Sequence, residues 1–195
     1  MSPPSAEDVL HYNKRKTPSK KTWKIFWDLQ CPFSKRNWEK LPEIRKRFED
    51  EYEFSIHITS LLFHPQAFTA QCAAELIEVK KGPEAKMQFI DACFENQDSY
   101  MNAAVGDARK SEIDAIFAGI AEKSGILDDK ELTKEEFLAK IHDWEDAVKP
   151  AWTNHKEALG MGVFAVPKSV IDGKLVEDSE SSWGPEEWAE RIKAL

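Results

Sequence analysis

Cys31, in the run Cys31-Pro32-Phe33-Ser34, carries the most chemistry of any side chain in this sequence. It follows a stretch of strand-forming residues and precedes a helix-forming one, which places it at a helix N-terminus. The unpaired amides of a first helical turn, and the helix dipole, favour an anion there. A thiol so placed has a depressed pKa, and the thiolate is the nucleophile of disulfide exchange. Pro32 loses nothing at the first helical position and preorganises the turn. Taken alone, a single cysteine reads as readily as a small apolar core residue; the strand–Cys–Pro–helix setting is what favours chemistry. Ser34 follows in the same first helical turn. Its hydroxyl is limited to a hydrogen bond to the thiolate, which helps to lower the pKa.

A second candidate element is Gly162-Val163-Phe164-Ala165-Val166-Pro167. Proline is tolerated at the entry to a strand but not in its middle. An X-Pro bond that turns into a strand is a candidate for the cis form; an ordinary trans turn proline is the alternative. Cys72 and Cys93 lie on apolar helical faces and read as core. Three cysteines at wide spacing make neither a disulfide scaffold nor a zinc site. His11, His57, His64, His142 and His155 show no metal-ligand spacing and read as structural or exposed. Of these, His64-Pro65 follows a strand end, from which it could face the site.

The elements that must position these residues follow from periodicity. Trp23 to Leu29 is dense in aromatic and β-branched residues and predicts a strand. Trp38, Leu41, Ile44 and Phe48 then share a helical face, with Pro42 expected to kink that helix. Phe54 to Leu62 predicts a second strand. From about residue 65 to 160 the pattern is helical. Phe68, Cys72, Leu76 and Val79 share one face; Phe89, Ile90, Cys93 and Phe94 share another. Ile113, Ile116, Phe117 and Ile120 form a third, with Ser111 as its cap. Thr133-Lys134-Glu135-Glu136 fits a capping box, followed by Phe137, Ile141, Trp144 and Val148. Pro150 begins a further helix that Gly160 or Gly162 ends. Ser169 to Ile171, the turn Asp172-Gly173 and Leu175-Val176 predict a hairpin. Gly184-Pro185 opens a last helix with Trp188 and Ile192.

The chain has 195 residues and a net charge of −8. Residues 1–24 hold six basic side chains against Glu7 and Asp8, so the rest sums to −12, which repels nucleic acid. No apolar run reaches the ~18 residues of a membrane span. Residues 1–20 read as a disordered basic leader without the apolar core of a secretory signal. The expectation is therefore a cytoplasmic protein. Nuclear import through Asn13-Lys14-Arg15-Lys16 is open, although such a cluster is also simply a solvated tail.

In order, strand–Cys-Pro–helix, a helical block, then Val-Pro before a hairpin resemble the DsbA-like branch of the thioredoxin fold. Asp28-x-x-Cys31-Pro32, Gly162-x-x-x-Val166-Pro167 and Trp183-Gly184 are similar to the FrnE, 2-hydroxychromene-2-carboxylate isomerase and kappa-class glutathione transferase group. The resemblance covers residues 22–194. It implies an α/β thioredoxin fold with an all-helical insertion: core at 21–64 and 161–195, insertion at 65–160. It implies Cys31 as the attacking cysteine and Pro167 as the cis-proline beside it, with Val166 offering backbone groups to a bound thiol peptide or glutathione. Pro32 and Phe33 would contact substrate, Lys168 would attract the glycyl carboxylate of glutathione or point to water, and Asp28 would tune the thiol. No covalent cofactor and no metal is expected, and glutathione is a candidate co-substrate. Partners would be glutathione or protein thiols and disulfides.

Because Ser34 replaces the second cysteine, the sequence favours a monothiol thiol–disulfide oxidoreductase whose mixed disulfide needs an external thiol. Two alternatives remain at this stage. One is a kappa-type transferase or isomerase, which commonly has serine where this chain has Cys31. The other is a redox-inactive binding module, with contacts at Trp23, Trp27 and Trp38.

Overall fold

A computed structural model describes residues 20–128 and 130–195. The expected leader therefore lies outside the described residues, except for Lys20. Strand β1 (Lys21–Trp27) is followed by α1 (Pro32–Phe48) and β2 (Tyr52–Ile58). Between β2 and β3 come α2 (Ala67–Lys81), α3 (Pro83–Glu95), α4 (Asn102–Val105), α5 (Lys110–Lys123), α6 (Lys134–Lys140) and α7 (Lys149–Gly160). The chain closes with β3 (Lys168–Ile171), β4 (Lys174–Val176) and α8 (Pro185–Ile192). The sheet runs in the order β2-β1-β3-β4. β1 pairs parallel with β2, antiparallel with β3, and β3 pairs antiparallel with β4. No described helix is long and apolar enough to cross a membrane.

Alternation along β1 sends its side chains to both faces of the sheet. Trp23 meets Phe48 of α1 and Trp188 of α8, at ring centroid distances of 5.6 and 4.7 Å. Its indole N–H donates to Ser169 Oγ at 2.9 Å. Trp27 donates to Asn37 Oδ1 of α1 at 2.7 Å and packs on Phe94. Both rings are fully buried, so these tryptophans fill the core and offer no contact surface, contrary to one alternative above. A buried aromatic ring contributes roughly 1.5–3 kcal/mol through removal from water. On the opposite face Phe26 packs with Ala158 of α7 and with Val170.

Several elements depart from the sequence pattern for identifiable reasons. β2 stops at Ile58, and Leu62 is 98% exposed in the loop beyond it. α2 is enclosed almost all round, burying Gln71 and Glu75 beside Cys72 and Leu76, so no single stripe marks it; Phe68 and Val79 are exposed. α5 starts after Arg109, whose amide donates to the Glu112 carboxylate at 2.7 Å, and not at Ser111. Thr133 does cap α6, accepting from the Glu136 amide. That helix ends at Lys140, however, and the exposed Trp144 opens a separate five-residue wide turn. The 172–173 hairpin turn has positive φ at both residues, 47° at Asp172 and 79° at Gly173, as a tight two-residue turn requires.

Candidate active site

The chain leaves β1 at Trp27 and turns through Asp28, Leu29 and Gln30 into α1. Cys31 is the residue before the first helical position, with φ −82° and ψ 119°. Its amide donates to Asp28 O at 3.0 Å and its carbonyl accepts from Lys35 at 3.2 Å. Asp28 Oδ1 accepts the Gln30 amide at 2.7 Å, which fixes the turn locally. The helical block holds the same turn from behind. Gln97 Nε2 donates to the carbonyls of Leu29 and Cys31 at 2.8 and 3.1 Å. The Tyr100 hydroxyl donates to Leu29 O at 2.8 Å. The Gln30 side-chain amide bonds Gln66 and Asn102.

The Cys31 side chain is enclosed by residues from both ends of the chain. It clusters with Phe26, Ala158, Val163, Val166 and Val170, with Leu61 and Met161 packed against them. Its Sγ lies 3.7 Å from the Val166 carbonyl oxygen, and the Val166–Pro167 peptide bond is cis. The residue is only 3% exposed. Burial pushes the Cys31 thiol up, and the Asp28 charge pushes it the same way. The amides of Ser34 and Phe33 and the Ser34 hydroxyl pull it down without overcoming the desolvation. The depressed thiol expected from the sequence is therefore corrected: the helix N-terminus is present, but so is an apolar enclosure that sequence spacing does not reveal. Cys72 and Cys93 are buried core residues, with Cys72 pushed up to about 12.

Asp28 is fully buried beneath this turn. Its Oδ2 accepts the Leu61 amide at 2.8 Å and lies 2.8 Å from His64 Nδ1. Burial raises its carboxyl, while these donors oppose the rise. Its negative charge disfavours the Cys31 thiolate, so any tuning by Asp28 runs upward. Ser34 is also fully buried, and its Oγ accepts the Asp28 amide at 3.2 Å. The Lys168 ammonium bonds the carbonyls of Glu177 and Ser179, tying the segment after β4 to β3. The ammonium therefore does not simply point to water. Pro32 and the 54% exposed Phe33 form the outer lip of the helix start.

Cys31, Pro32, Ser34, Asp28, Val166 and Pro167 thus converge on one end of the sheet. Sequence reasoning missed the supports: Gln97, Tyr100, Gln66 and Asn102 hold the turn across sixty or more residues or reach it from a different element. It also missed the apolar tips at Leu62, Phe63 and Phe164. The signal that could have revealed these last is composition, since large apolar residues stand in non-periodic stretches beside a strand end and a proline.

No protein-family model matches the chain, and neither does any curated protein sequence. Solved structures do. A candidate protein-disulfide isomerase from Pseudomonas syringae superposes with a TM-score of 0.71 at 20% identity, covering 88% of this chain and 93% of that one. Oxidised BdbD from Bacillus subtilis gives 0.67 at 21% identity, covering 92% and 89%. MdbA, a thiol-disulfide oxidoreductase from Corynebacterium diphtheriae, gives 0.62 at 19% identity, covering 91% and 85%. This is a DsbA-like thioredoxin fold. In such a fold the helical block enters between β2 and β3, and here it does more than cover the sheet. Through Gln97, Tyr100 and Asn102 it also holds the turn that presents the cysteine.

Proposed function

We propose that this protein carries out monothiol thiol–disulfide exchange through Cys31, on cysteine-bearing polypeptides, with a small thiol such as glutathione completing the cycle. The observation that carries the reading is the Cys31 thiol at the start of α1, 3.7 Å from the Val166 carbonyl and beside Pro167. A backbone group facing a nucleophilic sulfur can pair with an extended segment while sulfur exchange proceeds. The Corynebacterium diphtheriae neighbour, a thiol-disulfide oxidoreductase, supports the same chemistry. The surroundings favour polypeptide over glutathione as the exchanged partner. Phe33, Leu62, Phe63 and Phe164 are all large, apolar and mostly exposed, and all belong to segments anchored at the Cys31 turn or the Val166 loop.

The chemistry balances in two steps. Cys31 gives its proton to solvent, and the thiolate attacks one sulfur of a substrate disulfide. The other sulfur leaves as a thiolate, and a mixed disulfide remains on Cys31. With Ser34 at the resolving position, an external thiolate then attacks the substrate sulfur or Sγ, and Cys31 is either released or exchanged. A compartment rich in reduced glutathione would supply that thiol.

Intact-mass measurement tests this. After incubation with oxidised glutathione, or with an apolar peptide carrying a mixed disulfide, one adduct is expected, mapping to Cys31 and lost in Cys31→Ser. No adduct, or adducts spread equally over Cys31, Cys72 and Cys93, would overturn the reading. One observation favours the redox-inactive alternative, namely the deep burial of Cys31. Under that reading, a Cys31→Ala protein would retain the same polypeptide partners.

A further inference from the structure

Asp28 is a fully buried carboxylate, and such a group is expensive to desolvate unless its oxygens are paired. Fixing the Cys31 turn uses only Oδ1, through the Gln30 amide. Oδ2 serves a different segment altogether, the loop after β2, where it meets the Leu61 amide and His64 Nδ1. Those two contacts sit at the two ends of one tight turn, closed by the His64 amide on Leu61 O at 3.0 Å. Between them stand Leu62 and Phe63, which are 98% and 71% exposed. The His64 ring also packs edge-on against the Phe63 ring, with centroids 4.7 Å apart. Leu61, at the base, packs in the apolar cluster that holds Cys31 and Val166.

We infer that His64 is a positioning residue for polypeptide substrates: clamped to Asp28, it holds Phe63 and Leu62 as a fixed apolar contact beside the Cys31 thiol. The inference rests on the exchange activity proposed above and adds a determinant of its substrate class. A loop with two bulky apolar residues facing water has no internal reason to stay put. Leu62 and Phe63 themselves are little buried, and the turn that carries them is tied to Asp28 and, through the His64 carbonyl, to the Ala67 amide at the start of α2, while Thr59 and Gln66 on either side are held separately by Trp27 and Gln30. Fixing such a contact in advance reduces the ordering cost of binding an extended apolar segment. A small disulfide offers no extended apolar segment for the loop to hold and gains little from it. His64 therefore governs selection between polypeptide and small disulfides without touching the reacting sulfurs.

Second-order rates of mixed-disulfide formation, followed by mass, separate these cases. His64→Leu removes the donor and keeps the bulk. Loss of a hydrogen bond to a charged group is expected to cut the rate with an apolar peptide disulfide about tenfold. The rate with oxidised glutathione should not fall, because losing His64 raises the Asp28 carboxyl and so can only favour the Cys31 thiolate. His64→Asn, whose side-chain amide can donate from nearly the same place as Nδ1, should restore the peptide rate. Phe63→Ser leaves the clamp and the fold intact and should match His64→Leu on the peptide. Equal losses on both disulfides, no loss on either, or an unchanged peptide rate in Phe63→Ser would overturn the inference. If the unaltered protein reacts with neither disulfide, the exchange activity fails, and the clamp is judged by hydrogen exchange at the Leu61 amide. Faster exchange in His64→Leu would then sustain the clamp, and unchanged exchange would overturn it.

Discussion

Two opposing influences meet at Cys31, and their balance is measurable. First-turn amides and the Ser34 hydroxyl favour the thiolate, while the apolar enclosure and the Asp28 charge disfavour it, leaving the thiol above its ordinary value. The rate of exchange follows the thiolate fraction, so reactivity should climb as pH rises through and beyond the ordinary thiol range. Removing the Asp28 charge takes away an influence that raises the Cys31 pKa, and the pKa should therefore fall. Asp28→Asn, which keeps an acceptor oxygen, is expected to alkylate with iodoacetamide several-fold faster at pH 7.5 and with a lower midpoint pH. An unchanged or higher midpoint would show that Asp28 acts on the thiol only through the shape of the turn. Ser34 supports a second prediction at this scale. Its side chain lies one helical turn from Cys31, within the roughly 5–6 Å Cβ spacing of such pairs, close enough for a disulfide after modest adjustment. Ser34→Cys should lose two free thiols on mild oxidation, and its reduced form should release one equivalent of reduced substrate from the mixed disulfide without added glutathione, ending with a disulfide across positions 31 and 34. Retention of all its free thiols would mean that the turn held by Gln97 and Tyr100 is too rigid to close the bond. The residues of this site were legible where the signal was local. Cys-Pro after a strand and Val-Pro before a hairpin need only their neighbours to be recognised. The burial of the thiol was not legible, because Val163, Val166, Leu61 and Ala158 reach it from distant parts of the chain.

At the scale of elements, the helices of the block are held to one another by polar bonds as well as by packing. Lys86 of α3 is buried against Glu75 of α2, with Nζ to Oε1 at 2.8 Å and a further contact to Glu78 at 2.6 Å. Asn154 of α7 donates to the same Glu75 oxygen at 2.8 Å, so three helices share one carboxylate. Burial pushes the Glu75 carboxyl up, and Lys86 pulls it down. Lys86→Met removes the opposing cation and leaves a buried carboxylate unpaired, which should cost about 3–5 kcal/mol at pH 7 in urea unfolding. The sign with pH follows from the raised carboxyl. Well below the ordinary glutamate range it is neutral in both folded and unfolded chains, and the deficit should be small. As pH rises, the unfolded chain ionises first, so the deficit should grow. A deficit independent of pH would assign the loss to packing alone. This pairing also explains why α2 was hard to read. An amphipathic stripe requires one wet face, and α2 has buried polar residues where the pattern expects solvent. α1 was legible by its period, α6 at its Thr133 cap but not in its length, and α7 by Pro150 and Gly160. Pro42 lies inside α1, which continues on both sides of it from Pro32 to Phe48.

For the whole molecule, the question is whether the sheet and the helical block are one cooperative unit. They come from separate stretches of sequence, and the sequence suggested a core interrupted by an insertion. The buried apolar residues nevertheless form one main cluster. It runs from Trp23 and Trp27 of β1 through Leu76, Phe89 and Phe94 to Phe117 and Phe137 in the block, and back to Val176 and Trp188. Trp27 on Phe94 is one bridge between sheet and block, and Gln71 is another, its side-chain amide donating to Ile58 O at the end of β2 and to Ala151 O in α7. The shared apolar cluster makes unfolding of one part costly to the other, which opposes independent unfolding. Urea denaturation should therefore show one transition. Tryptophan fluorescence, dominated in the buried interior by Trp23, Trp27 and Trp188, should coincide with the far-ultraviolet circular dichroism of the helices. Phe94→Ala should shift both probes together, by about 3–5 kcal/mol. If the helical signal is lost first while the fluorescence persists, the block unfolds on its own. The Cys31 turn, deprived of Gln97 and Tyr100, would then be exposed in a partly folded state, and Cys31 alkylation would accelerate at urea concentrations below the main transition. A single shared transition predicts instead that Cys31 stays protected until the whole molecule unfolds.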